Sequence, residues 1–562
     1  MQYKQRRSKP VEGLFKISWL LFLFVPAAGF AQTTYLPQGA KENVLLERME
    51  IKVGTDSVLN FSKTKPYSRQ EFIPALQRVA SSVTLSKVDA FNLYTAQASN
   101  IEYANNRDSL KSKKIFWKNF YKTPANFFEV NQKDFHLVVN PVFQYYLGKE
   151  STSDEKIFLN TRGVTLRGTI ANKIGFAAYM TDNQERDPVY VQNWVAERKA
   201  VPGEGFYKDF KGTGYDYFDA RGYISFKAAK YIDVVFGYDK NFIGNGYRSL
   251  FLSDFSNSAL FVKLNTRIWK FNYQNIFMEL VNANRKRADV YLDKKYAVVH
   301  HLDMAVAKWL NVGLFEAIVF GRPNHFEFGY LNPVIFYRSI EQQSGSLDNS
   351  LAGLDAKANL AKHVQLYGQL LLDELRVHEL KNNWWGNKFG FQLGGKYIDA
   401  FGISNLDLQA EWNRVRPFTY SHTDSIANWT HNNQPLAHPY GASFNEFIGL
   451  ARYQPIPRLM LQAKAIYYKQ GKDTSAANYG SNIFQPATLR PVSEYGYSVG
   501  SPVSTNVKYA SLLVSYELKP NFFVELNAVR RTQDAYYKTP AQSTTVFYFG
   551  VRWNMHRREF EF

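Results

Sequence analysis

The amino-acid sequence predicts an all-β transmembrane barrel of about eighteen antiparallel strands, preceded by a small helical N-terminal periplasmic segment. Three observations carry that expectation. From Phe135 onward, polar and apolar residues alternate with period two. The connections between these stretches alternate short and long, as periplasmic turns and extracellular loops do. Aromatic residues make up 16% of the chain, with 37 Tyr and 44 Phe, yet mean hydropathy is −0.35. Aromatic girdles, an apolar outside and a polar lumen give that combination, because each strand carries only half a hydrophobic signal.

Residues 1–31 read as a secretory signal. Lys4, Arg6, Arg7, Lys9 and Lys16 are basic, Ile17 to Val25 form an apolar core, and the small Gly29 and Ala31 precede Gln32. The core is shorter than the ~20 residues a spanning helix needs. With no cysteine, a disulfide scaffold, a thiolate metal site, a Cys nucleophile and a lipid anchor on cysteine are excluded. Net charge is +19, and about +15 without the five basic residues and Glu12 of the signal. Such a surface suits outer-membrane lipid, lipopolysaccharide and acidic polysaccharide, while export argues against nucleic acid.

Residues 32–130 form the expected periplasmic segment. Ser68 to Ser81 carries Phe72, Leu76 and Val79 near helical spacing, with Ser68 and Glu71 placed as a cap. Ser86 to Ala104 repeats the pattern. Residues 131–562 form the barrel, its strands running from Phe135–Tyr146 to Thr544–Trp553. Short turns are expected at Ala171–Lys173, Ala228–Lys230, Asn265–Arg267 and Leu518–Asn521. Long loops are expected at Asp182–Tyr215, Gly321–Asn349, Asn413–Phe444 and Lys469–Asn506. Asp355, Lys357, Asp407 and Glu411 fall on polar faces, and a charged lumen of this kind suits a solute channel. The terminal Phe562 resembles the closing residue of a barrel; His556 to Arg558 separate it from Trp553, which implies a bent or bulged last strand.

Gly237 to Asp254, reading GYDKNFIGNGYRSLFLSD, resembles a segment of the Wzi-type capsule-assembly barrels and of the related gliding-motility outer-membrane protein RemB. Tyr330-Leu331-Asn332-Pro333 with Arg338, Glu341, Asp348 and Asn349 is similar to a second segment. Tyr367 to Glu374 and Lys65 to Arg69 also fit. The resemblance implies a surface role in attaching or assembling capsule or exopolysaccharide, or in gliding. The candidate ligand-binding residues are Asp239, Lys240, Asn245, Tyr247, Arg248, Asn332, Arg338 and Glu341. Sugars are held by planar hydrogen-bonding groups and aromatic faces, which these supply. The simpler reading is that the loop folds into the barrel mouth and its ions pair internally. Gly244 and Gly246 suit a tight left-handed turn around Asn245.

No catalytic residue, cofactor site or metal site stands out, and the chain reads as no enzyme. The one G-x-S-x-G string, Gly496 to Gly500, falls within the expected long loop Lys469–Asn506 rather than on a strand-to-helix elbow, and there is no H-E-x-x-H helix. His300 and His301, adjacent on a strand, point to opposite faces, and Asp373 and Glu374 share that limit. Asp182, Glu185 and Asp187 are expected in a long loop as a solvated charged cluster. A third possibility is a structural subunit of an envelope complex, held through the N-terminal segment.

Overall fold

Alternating side chains leave most strands with one apolar and one polar face, and in lipid no strand edge can stay unpaired. Closure follows. The computed structural model describes residues 33–113, 117–282, 291–322, 325–334, 336–345, 348–474 and 477–562; the expected signal at 1–31 lies outside them. The wall has eighteen antiparallel strands in one closed barrel. They are β1 (Phe135–Glu150), β2 (Ile157–Ile170), β3 (Ile174–Arg186), β4 (Gly214–Ala229), β5 (Ile232–Asp239) and β6 (Ala259–Ile268). Next come β7 (Phe271–Val281), β8 (Lys294–Ala307), β9 (Leu310–Phe320), β10 (Asn349–Leu360), β11 (Val364–Glu374) and β12 (Lys388–Tyr397). The last six are β13 (Leu406–Val415), β14 (Phe444–Ile456), β15 (Leu459–Lys472), β16 (Val503–Lys519), β17 (Phe522–Gln533) and β18 (Gln542–Trp553). Among the described residues no helix is long and apolar enough to cross a membrane.

Each expected strand is present, and most extend further at one end. Asp182 and Glu185 therefore lie on β3 rather than in a loop, on opposite faces. The turn expected at Asn265–Arg267 falls instead after Ile268, because β6 keeps pairing with β7 down to Ile268↔Phe271. The closing strand is neither bent nor bulged: Val546↔Glu150 to Trp553↔Phe143 pair without a register shift. Phe562 is not part of it. After Trp553 the chain turns inward.

Before the wall come three helices, α1 (Lys41–Val53), α2 (Arg69–Ala80) and α3 (Lys87–Ser99). Ser68 accepts from the Glu71 amide to start α2, and Ser86 with Asp89 forms a reciprocal cap on α3. Their shared core includes Leu46, Met49, Phe72, Ile73 and Leu76. The helices sit across the end of the barrel that carries the short turns. Thr55 Oγ1 and Asn60 Nδ2 donate to Lys308 O at 3.0 and 3.1 Å, and Arg267 Nη1 donates to Glu71 at 2.8 Å.

Candidate functional site

Among the described residues, three chain segments held by inward-facing side chains of the wall fill much of the lumen, and the loop 416–443 packs on them from the long-loop end. The first is the N-terminal segment. Lys63 is buried beside Asp303 of β8, at 3.1 Å, and Asp355 of β10, which His301 also contacts at 2.7 Å. Lys357 Nζ reaches Glu50 at 2.6 Å and donates to Asn60 O at 2.7 Å. Arg48 pairs with Asp89, Asp399 and Asp407. Glu47 lies 3.0 Å from Lys396 and 3.2 Å from Lys65.

The second segment, residues 240–258, joins β5 to β6. Phe242 and Ile243 pair with Lys65 and Thr64. Gln369 of β11 accepts from Leu250 N at 2.8 Å and donates to Ile243 O at 3.1 Å. Glu411 of β13 accepts from the amides of Tyr247 and Arg248 at 2.6 and 3.1 Å, and from Tyr367 Oη at 2.8 Å. Gly244 does take a positive φ, 149°. Gly246 does not; it is required for space, since a Cβ there would stand 2.6 Å from Glu411 Oε2 and 2.7 Å from Gln392 Oε1. Two of the four family-like segments, Gly237 to Asp254 and Lys65 to Arg69, therefore meet here in the plug, and a third, Tyr367 to Glu374, is the wall strand that holds them.

The third segment is the C-terminal tail, residues 554–562, which climbs the lumen from the short-turn end. Arg557 and Arg552 both bind Glu525. Arg558 binds Glu185 and Tyr217. Glu559 and Glu561 bind Lys464, and Arg248 lies 2.9 Å from Glu561. Arg531 Nε donates to Phe562 O at 2.7 Å, and the Phe562 ring packs on Trp194, Tyr190 and Phe255. Between these segments and the wall remains a cavity of about 720 Å³ whose lining holds fifteen Lys and Arg against nine Asp and Glu.

The geometry gives each candidate of the first motif a protein partner. Asp239 Oδ1 accepts from Lys240 N, and Lys240 Nζ donates to Gly203 O at 2.7 Å. Asn245 donates to Ser62 Oγ at 3.2 Å. Tyr247 Oη meets Glu561 and Lys464, and Arg248 also faces Glu446 at 3.6 Å. Asn332, Arg338 and Glu341 lie elsewhere, in the loop between β9 and β10, with Arg338 2.6 Å from Glu341. Asp355, Lys357, Asp407 and Glu411 do face the lumen, but the plug segments occupy each of them. His300 and His301 point to opposite faces; Asp373 and Glu374 both approach Lys388, at 3.9 and 3.5 Å, because β11 is irregular between Leu372 and Glu374. Among the described residues no group of three His, Cys, Asp or Glu could hold a metal.

Missed in the sequence is an aromatic rim at the long-loop end. Trp384 and Trp385 both donate to Glu494, at 3.1 and 2.6 Å. Arg376 lies 4.3 Å over Trp384, and Arg490 lies 4.1 Å over Trp385. Phe418 and Tyr497 pack beneath. The adjacent Trp pair in a long loop was its only signal.

Two carboxylates of the plug tie it to pH. Burial pushes Glu47 up, but Lys396 and Lys65 outweigh it and hold the carboxyl at about 2. Burial likewise opposes Lys464 and Arg557 at Glu559, which also settles at about 2. Both folded values lie below the ordinary 4.5. Each therefore stabilises the seal fully above pH 4.5 and loses that contribution, about 3 kcal/mol, as pH falls toward 2. Melting of the protein in detergent is expected to drop steadily from pH 5 to pH 3, with a shallower slope in Glu47→Gln.

The class this fold and site define is an outer-membrane β-barrel with a filled lumen. The family described as capsule assembly protein Wzi matches residues 149–558, and the chain belongs to that family. Among solved structures it is similar to Wzi of Escherichia coli, described as an outer-membrane protein involved in group 1 capsule assembly and a carbohydrate-binding β-barrel. That likeness has a TM-score of 0.55 at 12% identity and covers 93% of this chain and 99% of that one; it shows the shared fold. OprD of Pseudomonas aeruginosa is similar at TM-score 0.41 and 13% identity, over 74% of this chain and 94% of that one. No curated protein matches the sequence.

Proposed function

We propose that the protein is a non-enzymatic barrel that holds a capsular or extracellular polysaccharide at the cell surface, with its long loops outside and both termini on the periplasmic side. The observation that carries this reading is the filled lumen. Three segments spend their polar groups on the wall, so much of the charged interior serves internal binding, and a cavity of about 720 Å³ is what remains between them. The loop end is the surface that a polymer outside the cell would meet first. The E. coli relative is described as carbohydrate-binding, and membership of its family supports the same class of ligand here.

The contact we favour is the rim, since Tyr247 and Arg248 are taken up inside the lumen by Glu561, Lys464 and Glu446. Arg376 is exposed over the buried Trp384, and the half-buried Trp385 carries Arg490, which shares Glu494 with both indoles; cations beside rings suit acidic sugars. Polymer held there would also serve adhesion during gliding. The test is a clean deletion complemented with the wild-type gene or with Trp385→Ala/Arg490→Ala, scored for retained surface polysaccharide and colony spreading. A ring contact contributes about 0.5–1.5 kcal/mol, so the variant is expected to retain several-fold less polymer. Full retention in the deletion strain, with reduced solute uptake, would reverse the reading in favour of a channel.

A further inference from the structure

The second family-like segment plays no part in the plug. It lies outside the barrel. On β7, β8 and β9 the residues that face the lumen include Met278, Val299, His301, Phe315 and Ala317, and Phe315 stacks on Phe251 of the plug at 4.3 Å. Their neighbours in the alternation, Asn275, Tyr296, Val298, His300, Glu316, Ile318 and Phe320, must then point outward, toward lipid. All seven are nevertheless buried.

The loop between β9 and β10 covers them. Tyr330 and Tyr337 are fully buried against Tyr296, Val298, Ile318 and Phe320, with Phe326 and Ile340 beside them. The wall in turn satisfies the loop's backbone. Pro333 O accepts from Tyr273 Oη at 2.5 Å and from Asn275 Nδ2 at 3.2 Å, and Arg338 N donates to Glu316 at 3.3 Å. Tyr337 Oη meets His300 Nε2. Arg322 grips Asp348 with two bonds of 2.7 and 2.8 Å, and Tyr330 Oη donates to the same carboxylate. The described residues of the flap are thus fixed at its root, through Arg322 and Asp348, and again at Tyr330, Pro333 and Tyr337.

Two features place it at membrane depth. First, its outer side is apolar: Phe328 is 80% exposed, Val334 83% and Phe336 61%, with Leu331 also exposed. Second, the wall on either side, in paired register, is apolar and exposed too. Val262 is paired with Phe277 beside the flap, and Leu354 with Leu314 and Leu370 on the other side. The flap interrupts a lipid-facing band and continues it with its own side chains. Irregular backbone survives in hydrocarbon only where protein groups satisfy it, at several kcal/mol for each group left bare. That accounts for Asn275, His300 and Glu316, three polar residues on the lipid side of a barrel. Arg338, on the helix Tyr337–Gln343 that leads back to β10, keeps a carboxylate partner in Glu341 at 2.6 Å.

We propose that this flap is immersed in the membrane and that lipid acyl chains cover Phe328, Leu331, Val334 and Phe336. The chain has no cysteine, so single labels can be placed cleanly. Nitroxides at Phe328→Cys and Val334→Cys, both highly exposed, leave the packing untouched. Leu314→Cys on the wall serves as the lipid reference and Val492→Cys, in a long loop, as the water reference. The full-length protein is reconstituted in phosphatidylethanolamine and phosphatidylglycerol vesicles, and relaxation by oxygen is compared with relaxation by a nickel chelate. Labels on the flap are expected to match Leu314→Cys, with oxygen favoured several-fold over the chelate. Values like those of Val492→Cys would put the flap in water and overturn the proposal. Labels shielded from both reagents would mean a second copy or another protein covers the face, and would overturn it equally.

Discussion

Planar bilayers carrying the intact protein are expected to show no stepwise current, while a variant lacking residues 33–131 and 554–562 conducts in discrete steps. Eighteen strands enclose a lumen wide enough for an aqueous channel when nothing fills it. Here the tail alone occupies most of its height, about 30 Å for nine extended residues. The N-terminal helices close the short-turn end, and residues 240–258 narrow the middle. Protease resistance of the wall confirms insertion of the deleted form. Glu559→Gln/Glu561→Gln keeps the tail but removes its pairs with Lys464 and Arg248, and intermittent openings are expected from it. Steady current through the intact protein would show that the seal is not a seal.

The second large effect belongs to Lys63. Its side chain is 1% exposed and faces two carboxylates, Asp303 and Asp355. Lys63→Met leaves those charges in the lumen without their shared cation. Removing one member of a buried ionic group costs about 3–5 kcal/mol. Hydrogen exchange of α1 is expected to accelerate by more than a hundredfold as the N-terminal segment releases, with the wall unchanged. Lys63→Met/Asp303→Asn/Asp355→Asn removes the uncompensated charges and is expected to recover much of the protection. If the single variant exchanged as slowly as wild type, the docking of this segment would rest on other contacts.

The wall was legible in the sequence because its signal is local. Alternation, turn length and aromatic content each act within one hairpin, and the polar faces of Asp355, Lys357, Asp407 and Glu411 turned out to line the interior. Strand ends were underestimated because pairing continues into residues that no longer alternate cleanly, as at Asp182 and Glu185. The plug was not legible. Lys63 and Asp355, or Arg248 and Glu561, are hundreds of residues apart, and a polar segment inside a lumen has the same composition as one in water. The tail misled for a related reason. A terminal Phe after Trp553 reads as a closing strand, whereas Glu559, Phe560, Glu561 and Phe562 alternate charge and ring because they face Lys464 on one side and aromatic residues on the other. Trp384 and Trp385 carried no local pattern that separated a rim from an ordinary loop.

The path of that tail ties the two ends of the described chain together. Its last ring lies beside Trp194 and Phe255, while its root at Asn554 lies by the short turns, next to the N-terminal segment. His556 packs so closely on Gly39 that a Cβ on the glycine would come within 3.1 Å of it. The N-terminal helices and the tail therefore brace each other, and a disturbance of either is expected to loosen both.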